Sequence, residues 1–105
     1  MLFFKKKQKS DYEVLVIDNS KMDSEYDSVI KGFKTFEEAK NYAKSRTWSS
    51  IEEFRKQSES KEELRSLWYS FGESCSVIGE NYNSKEDLDY MIENQANNDQ
   101  QNWNH

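Results

Sequence analysis

Four short segments of the chain share one layout: "TFEEA" from Thr35, "SIEEF" from Ser50, "SKEEL" from Ser60 and "SKEDL" from Ser84. Each sets a hydroxyl residue three positions ahead of Glu or Asp, then an apolar side chain. In a capping box the hydroxyl accepts from the N3 amide while the N3 acid reaches back, and early acids suit the positive end of the helix dipole. The pattern predicts four helix starts. The first helix is expected over residues 36–46, with Phe36, Ala39, Tyr42 and Ala43 along one side. The second is short, residues 51–57, held by Ile51 and Phe54. The third follows Ser60 and aligns Leu64, Leu67, Trp68 and Phe71 on one face, with Gly72 placed as a left-handed C′ cap. The fourth follows Ser84 and turns Leu88, Met91, Ile92 and Ala96 inward. No proline interrupts any of them.

Strands fill the remaining segments. "YEVLVID", Tyr12 to Asp18, is a continuous apolar run rich in β-branched residues, the pattern of a central strand covered on both faces. After the polar "NSKMDSE" a partner strand is expected from Tyr26 to Phe33, with Tyr26, Ser28 and Ile30 on one side and Val29 and Phe33 on the other. Gly32 marks a bulge or the strand's end. "SCSVIG", Ser74 to Gly79, supplies a third strand on which Cys75 and Val77 share a face and Ile78 opposes them. The order β-β-α-α-α-β-α describes an α+β domain: a small three-stranded mixed sheet in the order 2-1-3, with helices packed mainly on one face.

Only 34% of the 105 residues are hydrophobic and 33% are charged, yet 14% are aromatic, enough large side chains for one compact core. A second core would leave each half too small to fold unaided. The domain is therefore placed at residues 11–96, between a basic, flexible leader of residues 1–10 and a polar, flexible tail of residues 97–105. The leader carries four lysines and no acid, leaving 20 acids against 11 bases in the other 95 residues, a balance of −9. Such a body repels phosphate, and nucleic acid is excluded as a direct ligand. A single cysteine forms no internal disulfide, and "MLFF" is too short for a signal or a spanning helix, so a cytoplasmic setting is expected.

From Leu64 onward, the run of Leu64, Leu67 and Trp68, then Phe71-Gly72-Glu73, Cys75, Val77, Gly79 and Tyr82, and finally "LDYMI" from Leu88, resembles a group of small uncharacterised bacterial proteins. These share a helix with an "EEL" element, an "FGE" turn, a short apolar strand and a closing helix. The resemblance covers the second half of the chain. It implies a domain of this layout and carries no activity, cofactor or catalytic residue.

Reactive side chains are sparse. Cys75 as a nucleophile needs a base, and the single histidine is His105 at the far end; alternating with Val77 on a strand, the thiol reads as a packed hydrophobe. One Cys and one His make no zinc tetrad. The acidic loop from Asp18 to Asp27 puts Met22 at a calcium-ligand position and has no glycine at its turn. Gly32, Gly72 and Gly79 are too dispersed to cradle a phosphate. The carboxylate pairs Glu62 with Glu63 and Glu86 with Asp87 fall in helix first turns, where capping accounts for them.

No cofactor is expected, and no enzyme: an enzyme would need a pocket lined by Arg46, Arg55 or Arg65 with buried acids. The leading expectation is a protein-binding module, of the inhibitor, adaptor or immunity type, that seats on a basic surface through Glu73, Glu80, Asp89, Glu93 and Trp103. The alternative is a regulator at the periphery of an anionic membrane, using Leu2, Phe3, Phe4, Lys5, Lys6 and Lys7.

Overall fold

A computed structural model describes residues 12–20 and 28–103. Its elements are β1 (Tyr12–Asp18), β2 (Ser28–Phe33), α1 (Phe36–Arg55), α2 (Lys61–Phe71), β3 (Glu73–Ile78), β4 (Tyr82–Asn83) and α3 (Leu88–Glu93). A 3-10 turn over Ser84–Asp87 leads into α3, and another over Asp99–Gln101 follows it. The class is α+β, with a four-stranded sheet in the order β2-β1-β3-β4. The expected 2-1-3 order holds for the first three strands, but the fourth strand is new, and the sheet is antiparallel at every pairing rather than mixed. β2 and β3 do run the same way; β1 lies between them, so no parallel ladder forms.

Each strand's alternation decides what it buries. Val14 and Val16 are fully buried beneath Ala39, Tyr42 and Ala43 of α1, together with Cys75 and Val77 from β3. Leu15 and Ile17 point the other way and are half-buried, so β1 is fully covered on one face instead of two. Pairing of β1 with β2 slips between Tyr12 and Val14, which face Phe33 and Ile30 in turn. The extra residue lies at Lys31–Gly32, where Gly32 has φ 94°, a left-handed value that glycine adopts without strain. This bulge flips the alternation. Phe33 therefore joins Ile30 on the core face, against the expected split. Tyr26, the expected start of that strand, lies outside the described residues.

The expected first and second helices are one. α1 runs 20 residues, through Ser50 without a break, because "RTWSS" contains no breaker and Ala39, Ala43, Thr47 and Ile51 continue a single buried stripe. Ser50 is no cap; its hydroxyl accepts from the Glu73 amide N–H at 3.1 Å. Thr35 and Ser60 do cap, accepting from the Glu38 and Glu63 amides, both at 3.1 Å. At the last start the cap is Asn83 rather than Ser84, with Glu86 reaching back.

Gly72 ends α2 in an extended conformation (φ −82°, ψ −176°), not a left-handed one. What requires glycine there is space: a Cβ would collide with Cδ1 and Nε1 of the Trp68 ring. Trp68 is fully buried beside Trp48, Ile51, Leu64, Leu88, Met91 and Ile92, a second core between the C-terminal half of α1, α2 and α3. Phe71, expected on the inward stripe, sits at the helix end and is 58% exposed. Among the described residues no helix is long and apolar enough to cross a membrane.

Candidate functional site

Arg46 organises the surface at the open end of the first core. One helical turn after Tyr42 on α1, it donates from Nε to Glu73 Oε1 at 2.9 Å and from Nη1 to the Tyr42 hydroxyl at 2.8 Å. Its guanidinium carbon stands 4.5 Å from the centre of the Trp103 ring, which meets Tyr42 edge-on at 5.8 Å. Burial works against the charge on Arg46, but Glu73 and Tyr42 outweigh it and hold the pKa above its ordinary value. Two of the expected partner-binding residues, Glu73 and Trp103, thus meet on one arginine. Nothing in their sequence spacing announces it.

Asp89 and Glu93 lie one turn apart on α3 and face bases one turn apart on α2. Arg65 Nη2 pairs with Asp89 Oδ1 at 2.8 Å, and Lys61 Nζ pairs with Glu93 Oε1. Both pairs are open to water, with the Asp89 side chain 84% exposed. Exposed pairs of this kind contribute about 0–1 kcal/mol to stability. Between the two acids stands Tyr90, 60% exposed, its ring edge against Trp48 at 5.9 Å. Glu86, Asp89, Tyr90 and Glu93 follow at helical spacing, and all are exposed. The outer face of α3 is therefore an aromatic ring set in acids. Sequence reading passed over Tyr90, although its place within "EDLDYMIE" opposite the buried Leu88, Met91 and Ile92 is the signal that finds it.

The four expected acids do not gather into one patch. Glu73 opens β3 and Glu80 lies in the turn beyond its end, which at about 3.3 Å per residue sets them roughly 20 Å apart. Glu80 is exposed beside Gly79, whose φ of 100° makes the turn into β4.

Buried polar groups serve the fold. Ser84 Oγ accepts from the Thr47 hydroxyl at 2.7 Å and from the Cys75 amide at 2.9 Å, tying α1, β3 and the approach to α3 together. Cys75 is fully buried, and burial pushes its thiol up to about 11, against smaller opposing effects from Thr47 and Arg46. At neutral pH it is a thiol packed in the core, which is no nucleophile. Tyr82 is raised too, by burial and then by Asp87, whose Oδ2 accepts its hydroxyl at 2.6 Å.

An arginine with a buried acid, the arrangement named above for an enzyme, occurs at Arg55 and Glu52. Glu52, 5% exposed, accepts from Arg55 Nε at 2.7 Å, from Arg55 Nη2 at 2.9 Å and from the Ala96 amide at 3.0 Å. Arg55 also donates to the Met91 and Ile92 carbonyls at 2.8 and 2.9 Å, closing the end of α3. The pair borders a cleft of about 360 Å³, and its hydrogen bonds run within the fold. Among the described residues no group of three His, Cys, Asp or Glu is placed to hold a metal ion. Leu2, Phe3, Phe4, Lys5, Lys6 and Lys7, the residues of the membrane alternative, lie outside the described residues, as does His105. No family model matches the chain, and no curated protein or solved structure matches it either.

Proposed function

We propose that the chain is a non-enzymatic protein-binding module whose α3 face seats on a basic surface of another protein. The observation that carries this reading is Tyr90, 60% exposed and flanked on α3 by Asp89 and Glu93, with Glu86 in the 3-10 turn just before it. A large aromatic in a charged rim has the anatomy of an interface anchor: the ring supplies area to desolvate, and the rim supplies orientation and long-range attraction. A body of net charge −9 beyond residue 10 adds attraction for a cationic partner. Glu80 lies in the turn between β3 and β4, outside this face, while Glu73 and Trp103 are engaged on Arg46 and contribute only if that cluster opens. The lone cysteine suits a reducing compartment, and the proposed module works in the cytoplasm.

A photoreactive phenylalanine analogue in place of Tyr90 tests the reading, used in cells of the native host. Crosslinking to one protein through a lysine- or arginine-rich surface, abolished in an Asp89→Lys, Glu93→Lys variant, is the expected result. Crosslinks that ignore the charge reversal, or no crosslink at all, overturn it.

A further inference from the structure

The sheet has two faces, and the described helices build their cores on one side of it. α1 covers the side of Val14 and Val16, while α2 and α3 pack against α1 and each other. On the opposite side β1 sets Glu13, Leu15 and Ile17, β2 sets Val29 beside Leu15, and β3 sets Ser76 beside Leu15 and Ile78 beside Glu13. Leu15, Ile17 and Val29 are half-buried, and Ile78 is 42% exposed. An antiparallel sheet that meets water on one face alternates apolar with polar residues, and "VLVI" in β1 does not. The small Ser76 beside Leu15 leaves a low place in this apolar surface.

Acids stand at the end where the chain enters β1. Glu13 is the second residue of the strand, and Ile78, its partner on β3, is followed by the Gly79 turn and the exposed Glu80. Lys31 and Lys34 belong to the far margin, on and after β2, so a basic segment is steered toward the β3 side. Eleven residues precede Tyr12 and join the sheet at this same end; extended they span about 36 Å, against about 23 Å for β1, enough to double back over its whole length. Met1 to Phe4 are apolar, and Lys5, Lys6, Lys7 and Lys9 stand between them and the strand.

We propose that residues 1–10 fold back on this open face as an intramolecular cover, with Leu2, Phe3 and Phe4 over Leu15, Ile17 and Val29 and the lysines against Glu13 and Glu80. Charge selects this occupant: the segment brings four lysines and no acid to the acidic end of the face, whereas a second copy brings an equally acidic body. The covalent tether supplies an effective concentration of millimolar order, so contacts too weak to retain a free peptide retain this one. In the docked state the apolar face is hidden, and the lysines are engaged at the sheet instead of being offered to an anionic membrane. The cover lies on the sheet, and the proposal stands or falls independently of the α3 face.

Solution NMR on the isotope-labelled full chain tests it. Nuclear Overhauser contacts are expected from the Phe3 and Phe4 rings to the methyls of Leu15, Ile17 and Val29, and none to those of Val14 and Val16 on the covered face. Phe3→Ser with Phe4→Ser removes them, shifts the outer methyls alone and raises binding of the dye ANS several-fold, because it uncovers the face. Lys5→Glu, Lys6→Glu and Lys7→Glu together lower the intensity of these contacts about two-fold or more, and unchanged intensity removes Glu13 and Glu80 from the docking site. Phe3 and Phe4 rings at random-coil shifts, without contact to the sheet, overturn the proposal. Contacts that arise only between a labelled and an unlabelled copy overturn it as well, and assign the face to a dimer.

Discussion

The two cores lie end to end along α1 and are built on different plans. The sheet-side core sets small and medium side chains, Val14, Val16, Ala39, Ala43, Cys75 and Val77, with the rings of Phe33, Tyr42 and Tyr82 around them, between a hydrogen-bonded ladder and one helix. The helical core has no ladder and relies on bulk: Trp48, Ile51, Leu64, Trp68, Leu88, Met91 and Ile92 fill the angle between three helices. Backbone pairing fixes the first core before any side chain is chosen, whereas the second depends on the volume of a few residues. Truncating a large side chain should therefore damage the helical core more than truncating a valine damages the sheet.

Trp68→Ala gives the largest effect. Removing a fully buried indole costs about 3–5 kcal/mol, against about 2 kcal/mol for Val16→Ala, read from chemical denaturation midpoints. Equal losses would show the two cores to be one cooperative volume, and the contrast would fall. Gly72→Ala belongs with Trp68, since its methyl displaces the same ring.

The sheet-side core is the more sensitive to alkali. Cys75 ionises near 9 when unfolded and near 11 in the fold, so the protonated thiol stabilises the native state at neutral pH. That stability is complete below the unfolded pKa and is lost as pH rises from about 9 through 11, at about 3 kcal/mol for the full shift. The gap in stability between parent and Cys75→Ala should narrow over that range. A gap independent of pH would mean that the thiol is not held in its neutral form by burial.

Much of the element layout was legible in sequence, but the division was not: composition led to the expectation of one compact core, and the structure has two clusters along α1. The apolar run of β1, the Cys75 and Val77 alternation and the Ser60-capped helix are local signals, and they appear where spacing put them. The misreadings have physical causes. "SIEEF" has the same form as a working cap, and only the amide of Glu73, 23 residues on, decides that Ser50 serves the sheet instead. A one-residue bulge at Gly32 reverses which side of β2 faces inward, and no pattern of alternation survives such an insertion. Of the site, the exposed α3 stripe was present in the spacing of Glu86, Asp89, Tyr90 and Glu93. The meeting of Glu73 and Trp103 on Arg46 depends on contacts across 27 and 57 positions, which periodicity does not reach.

Ser84 is the joint between the cores. Its hydroxyl satisfies the Thr47 hydroxyl and the Cys75 amide at once, both buried, so Ser84→Ala strands one donor and forces the other to find a new partner. A loss of about 2 kcal/mol is expected. It should come with faster amide exchange at Cys75 and little change around Trp68. Exchange that rises equally in both halves would place the joint elsewhere.

The smallest effect falls on the surface of the helical core and has the most bearing on function. Neutralising Asp89 and Glu93 together, as Asn and Gln, breaks both bridges to α2, yet the pairs are exposed and their loss should cost under about 1 kcal/mol. Packing of Leu64 and Trp68 against Met91 and Ile92 holds α2 to α3 without them. If the melting temperature barely moves while salt-sensitive partner binding is lost, the charges belong to recognition rather than to folding. A large drop in stability would reverse that assignment: the helical core, unlike the sheet core, would then need charge as well as bulk, and Asp89 and Glu93 would not be free to exchange partners.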